Sequence, residues 1–97
     1  MDQIYEYRGS TFVWEVEKAT QNERKHGINF EEASTVFYDP LFVVTDASRN
    51  EEERFAVTGF SAAGRLLIVA HLEVDGEFVR IISARCASTV EEAAYAQ

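Results

Sequence analysis

Between residues 54 and 84 three strand-like runs follow one another with almost no chain between them: RFAVTGF from 54, RLLIVAHLEV from 65 and EFVRIISA from 77. Only SAAG, residues 61–64, joins the first two, and Asp75-Gly76 is a two-residue turn of the kind that favours positive φ. Connections this short force neighbouring strands to run antiparallel. LFVVT, from Leu41 to Thr45, is a further apolar, β-branched run, reached across the polar loop DASRNEEE at 46–53. These four runs predict a four-stranded antiparallel meander.

The first half reads differently. Thr11 to Trp14 is a short β-like run, and Ile4 to Tyr7 either joins it or does not. Residues 15–26 are rich in Glu, Lys and Ala and read as a helix. It stops at Gly27, which can close a helix in the left-handed conformation without a Cβ penalty. Arg24, Lys25 and His26 then sit in the last turn, where positive charge meets the negative end of the macrodipole. Asn29 caps a second helix over 30–38, with Glu32 at the capping-box position and Ala33, Val36 and Phe37 along one apolar face. Asp39-Pro40 ends it. Ser88 and Glu91 open a short C-terminal helix through a second capping box. The expected fold is therefore α+β: the meander, two N-terminal helices and a short C-terminal helix, with helices packed on one sheet face. Side chains alternate along the strand from Arg65, so Arg65, Leu67, Val69 and His71 share a face. Strict alternation puts Arg80 and Arg85 on opposite faces, and a bulge would be needed to unite them.

Residues 1–97 suit one domain with a modest core. A hydrophobic content of 46% separates the chain from disordered sequences. No apolar run is long enough for a transmembrane helix, and MDQIYEYRG lacks the basic-then-apolar order of a secretory signal. The single cysteine, Cys86, excludes an internal disulfide, and with the missing signal it points to the cytoplasm. Two histidines and one cysteine do not make a metal site, and no cofactor motif is present. A net charge of −8 argues against diffuse nucleic-acid binding. Its distribution is uneven: residues 1–53 carry 5 basic and 12 acidic side chains, residues 54–97 carry 4 and 5. All four basic residues of the second half are arginines, Arg54, Arg65, Arg80 and Arg85, a choice that suits bidentate phosphate or carboxylate contacts. Balancing the nearby acids on a solvated sheet is the plainer role for them.

The stretch FVWEVEKATQNERKHGINFEEASTVFYDP resembles the BrnT-type toxins of bacterial type II toxin–antitoxin systems, through Trp14, Lys18, Asn22, Lys25-His26-Gly27, Phe30 to Ala33, Phe37 and Asp39-Pro40. EERFAVTGFSAAGRLLIVAH, then RIISARCAS with Tyr95 beyond, continue the resemblance over nearly all of residues 12–95. It implies a RelE-like fold and a ribonuclease that cleaves mRNA and blocks translation. It also implies a BrnA-like ribbon-helix-helix antitoxin that forms a heterotetramer with the toxin and represses the shared operon, so that DNA is touched only through the antitoxin. Where the family carries a basic helix after the arginine, this chain has CASTVEEAAYAQ, with Cys86, Thr89, Val90, Glu92 and Ala93 at commonly basic positions. That difference sets an alternative expectation: a weakly active scaffold that binds the antitoxin and autoregulates the operon.

Metal-independent RNA cleavage needs a base for the 2′-hydroxyl proton, cations for the charged transition state and an acid for the leaving oxygen. Lys25 and His26 are candidates for the acid and base, since an imidazole titrates near neutrality. Arg65, Arg80 and Arg85 are candidates for the phosphate, with Arg54, His71 and Tyr95 as further substrate contacts. Simpler roles stand beside each: a helix-end charge for His26, packing for His71, ion pairs with Glu73, Glu77 or Glu91 for Arg80 and Arg85, and anchoring of the last helix for Tyr95. Convergence of Arg80 and Arg85 with Lys25 or His26 in one concave site, and an antitoxin laid over the arginine face, complete the expectation.

Overall fold

A computed structural model describes residues 1–96. In chain order it has β1 (Asp2–Tyr7), β2 (Ser10–Glu15), α1 (Val16–His26), α2 (Phe30–Thr35), a 3-10 turn (Val36–Tyr38), β3 (Val43–Asp46), β4 (Phe55–Phe60), β5 (Leu66–Val74), β6 (Phe78–Cys86) and α3 (Thr89–Tyr95). All six strands join one sheet in the order β1-β2-β6-β5-β4-β3. Every neighbouring pair is antiparallel except β2 and β6, which run parallel over Thr11–Val13 and Phe78–Arg80. The expected four-stranded antiparallel meander with two N-terminal helices is thus corrected to a six-stranded mixed sheet that begins with a hairpin.

The hairpin escaped the sequence because both of its signals are weak. Its turn places Arg8 at φ 51° and Gly9 at φ 87°, and arginine is seldom found in the left-handed region. Along β1 it is Tyr5 and Tyr7 that pack against the core, while Ile4 points outward at 65% exposure. Tyr5 lies 5.6 Å from the Trp14 ring and Tyr7 stands edge-on to Tyr38. The parallel pair depends on where α1 carries the chain after β2, which no local pattern encodes.

Local capping chemistry decides the other boundaries. Gly27 takes φ 72° and donates its N–H to Glu23 O. The Asn29 side chain accepts the Glu32 N–H at 2.7 Å. Asp75 and Gly76 turn with φ 54° and 69°. The helix expected over 30–38 divides, because Ser34 and Thr35 donate their hydroxyls back to the Glu31 and Glu32 carbonyls and the chain tightens into the 3-10 turn. Asp39 then accepts the Leu41 N–H, and its carbonyl accepts the Phe42 N–H, so Leu41 and Phe42 belong to a turn and β3 starts at Val43.

One sheet face supplies Phe12, Trp14, Val57, Leu67, Val69, Ile81 and Ala84 to the core, and Ile28, Phe30, Ala33 and Val36 cover them. Each large side chain fully buried there stabilises the fold by about 1.5–3 kcal/mol. Gly59 is required by this packing: a Cβ would lie 3.0 Å from Val36 Cγ1. The opposite face is covered only in part, by α3, which Tyr95 ties down through its hydroxyl to Asp39 and its ring against Phe60. No helix among the described residues is long and apolar enough to cross a membrane.

Candidate functional site: the seam between α1 and β6

β2 pairs with β6 only as far as Arg80, so the rest of β6 would present bare backbone on that side. Asn22 of α1 fills the gap. Its Oδ1 accepts the Ala84 N–H at 3.0 Å and its Nδ2 donates to the Ala84 carbonyl at 2.9 Å and the Ile28 carbonyl at 3.1 Å. One buried amide thus stands in for a strand residue and fastens α1 along the edge of β6. In the sequence Asn22 stands out only as part of the family pattern; no local signal marks it as a backbone partner.

This seam lines up cations. Lys18, Asn22 and Lys25 fall at i, i+4 and i+7, one stripe of the helix. Lys18 lines a concavity with Arg54, Leu72, Arg80 and Ile82, and with the carboxylates Glu52 and Glu53. Lys25 lies about one turn beyond Asn22, towards the Arg85 end of β6. Lys25 and His26 are exposed, and neither has an ion-pair partner among the described residues. Arg65, just before β5, reaches the same end: its Nη2 donates to Gly27 O at 3.2 Å, next to His26. Lys25, His26 and Arg65 are therefore gathered at the C-terminal end of α1.

Arg80 and Arg85 come to one sheet face through a bulge. Ala70 pairs with Ser83 but His71 pairs with Ile81, leaving Ile82 as an extra residue on β6. The extra residue lets both Ile81 and Ala84 face the core, so Arg80 and Arg85 both turn to the open face. They remain roughly 15 Å apart along the strand. Arg80 shares the Lys18 and Arg54 concavity, while Arg85 lines another with Tyr95, Ile68 and Thr58. The single concave site expected for both arginines is thus two concavities, one at each end of the seam. His71 is apart from both: it is 4% exposed on the core face, with Phe37 4.8 Å away and edge-on.

Every arginine of the second half is held by a carboxylate. Arg54 bonds Glu52 at 2.9 Å, Arg65 bonds Glu32, Arg80 bonds Asp2 at 2.7 Å, and Arg85 meets Glu91 through two bonds of 2.7 and 2.8 Å. Of the partners foreseen for Arg80 and Arg85, only Glu91 is the one used. Arg65 holds the Glu32 carboxyl below its usual range, against the opposing effect of burial and with help from the Ser61 hydroxyl. Arg85 and the Ser88 N–H hold Glu91 down at about 2. Burial pushes the His71 imidazole down, towards its neutral form. The Tyr95 phenol, bonded to Asp39, is pushed up to about 12.

Fold and seam together describe a small α+β protein that aligns lysines and arginines from distant segments of an acidic chain. The family model for "Ribonuclease toxin, BrnT, of type II toxin-antitoxin system" matches residues 14–91. Among solved structures, the Brucella abortus ribonuclease toxin BrnT is similar in fold, with a TM-score of 0.59, 22% identity, and coverage of 78% of this chain and 94% of that one. No curated protein sequence matches the chain. The chain belongs to the BrnT family of ribonuclease toxins of type II toxin–antitoxin systems.

Proposed function

We propose that the protein is a metal-independent endoribonuclease that cleaves mRNA and so blocks translation in the cytoplasm. A BrnA-like ribbon-helix-helix antitoxin holds it silent in a heterotetramer and provides the only contact with DNA. The observation that supports this reading is the gathering of Lys25, His26 and Arg65 at the end of α1, with Arg85 one residue beyond the Ala84 anchor. A phosphodiester seated there meets Arg65 on a non-bridging oxygen, and Arg85, on the open face, holds the adjoining stretch of backbone, while Lys25 and His26 carry the proton transfers. One takes the proton of the 2′-hydroxyl as that oxygen attacks phosphorus; the other gives a proton to the departing 5′-oxygen, leaving a 2′,3′-cyclic phosphate. Arg80, Arg54 and Lys18 bind the next stretch of backbone, and Tyr95 borders the groove beyond Arg85.

Incubating the purified protein with single-stranded RNA in the presence of a chelator tests this directly. Cleavage with cyclic phosphate ends is expected, slowed about 10²–10⁴-fold by Lys25→Ala or His26→Ala. A double variant that cleaves at the parent rate excludes the α1 end as the site. The second reading, a weakly active scaffold that binds antitoxin and autoregulates the operon, is favoured by the arginines' carboxylate partners, which an RNA phosphate must displace. Induction of the gene alone separates the two: growth arrest with shortened mRNA supports the nuclease, and unaffected growth from a folded protein supports the scaffold.

A further inference from the structure

The two ends of the sheet are finished in different ways. β1 carries Asp2 and Glu6 along its length, and Tyr38 reaches over to bond the Tyr7 carbonyl at 3.0 Å. At the other end β3 is preceded by Leu41 and Phe42 and reads Val-Val-Thr-Asp. Leu41 is 73% exposed, and Phe42, Val43 and Val44 are each between 43% and 47% exposed. Half of the backbone donors and acceptors of an edge strand point outward, and natural edges are usually blunted by lysine, proline or a covering loop. Here Pro40 precedes the strand, and no charge falls before Asp46. The open-face side chains Val43 and Thr45 line a groove of about 320 Å³ with Ala56, Thr58, Ile68 and Tyr95, which also holds the Arg85–Glu91 pair.

We infer that β3 is a docking edge for an extended segment of a partner polypeptide, which adds a seventh strand and lays alternate apolar side chains into this groove. The surroundings specify its charge. Residues 39–54 carry five carboxylates against two arginines, one of which, Arg54, is tied to Glu52. A second copy of this acidic chain brings like charge to like charge, whereas a segment with basic flanks is attracted. Backbone pairing supplies affinity and the alternate side chains supply selectivity, as in other strand-addition complexes. The inference rests on the reading of the protein as a toxin held by a protein partner, but its test reads binding alone, so the two can fail separately.

The probe is a short synthetic peptide of alternating valine and threonine flanked by lysines, titrated into the isotope-labelled protein. Amide shifts confined to residues 41–46 and their β4 neighbours are expected, with binding weakened about tenfold or more when the lysines are replaced by glutamates. Val44→Lys should weaken binding by a similar factor, because an edge lysine is the usual block to strand addition. Val90→Lys, on exposed α3 surface, should leave it unchanged. If Val44→Lys disturbs folding, Leu41→Lys decides. Absence of binding, shifts mapped elsewhere, or unweakened binding to a folded lysine variant overturns the inference. So does a concentration-dependent dimer of the free protein that Val44→Lys abolishes, which gives the edge to a second copy.

Discussion

On one face of the sheet Val57, Leu67, Val69, Ile81 and Ala84 meet Ile28, Phe30, Ala33 and Val36. On the other, Arg80 and Arg85 are held by Asp2 and Glu91. The same strands build both faces, yet the physics differs. Burial of apolar surface is non-directional and is not screened by salt, so the covered face can carry stability for the whole domain. Exposed ion pairs are screened and contribute between zero and about 1 kcal/mol each. Under the proposed nuclease reading, that weakness would let a guanidinium pass from its carboxylate to a phosphate. Stability thus rests on the covered face, while Arg80 and Arg85 are placed on the open one.

The covered face is the place to break the molecule. Phe30 is fully buried with its ring 5.7 Å from Trp14, so Phe30→Ala should lose about 3–5 kcal/mol in urea unfolding. A loss below about 1 kcal/mol would remove the covered face as the seat of stability. Next comes the seam. Asn22→Ala leaves the buried Ala84 N–H and C=O without their partner and should lose about 2–3 kcal/mol. Faster exchange of the Ala84 amide should accompany that loss; unchanged exchange would mean that water or another group replaces the amide.

On the open face, Arg80→Ala and Arg85→Ala should each shift stability by less than about 1 kcal/mol and move the melting temperature by only a few degrees. Both should nevertheless lower RNA cleavage. If both variants unfold, the arginines belong to the architecture; if both fold and cleave at the parent rate, the phosphate binds elsewhere.

Acid titration gives the smallest effects and separates the two faces by pH. His71 has a depressed pKa when folded, so below about 6.5 the unfolded chain binds its proton more readily and stability falls. Glu91 is also depressed, to about 2, so the stability it adds is complete above its ordinary value of 4.5 and is lost as pH falls from there to about 2. Fraying of α3, followed through the Ala94 and Tyr95 amides, should therefore lag behind the first loss of global stability. Fraying that begins near neutral pH would dissociate α3 from the Arg85–Glu91 pair.

Much of this was legible in the sequence wherever the responsible groups lie within a few residues of one another. Gly27, Asn29, Asp75-Gly76 and Ser88 with Glu91 all satisfy or terminate nearby backbone, each at its expected place, whereas the Glu32 carboxylate leaves its half of the expected box to bond Arg65 and Ser61. The family pattern was legible for the same reason, being a set of spacings. The first hairpin was not, since Arg8 takes a conformation its side chain does not favour and Ile4 points away from the core. Lys18 gave no sign of its place beside Arg80, because 62 residues of chain separate them.

The sequence by itself determined the local stops and starts and a second half whose basic residues are all arginine, because capping and composition are short-range or additive properties. Tertiary structure alone decided that β2 runs parallel to β6 and that Asn22 stands in where β2 ends. It alone placed the extra residue at Ile82 that turns Arg80 and Arg85 to one face, and chose Asp2, 78 residues away, as the partner of Arg80. Those outcomes depend on which distant segments meet when the apolar face is buried, and a one-residue change of register is enough to send an arginine to the other side of the sheet.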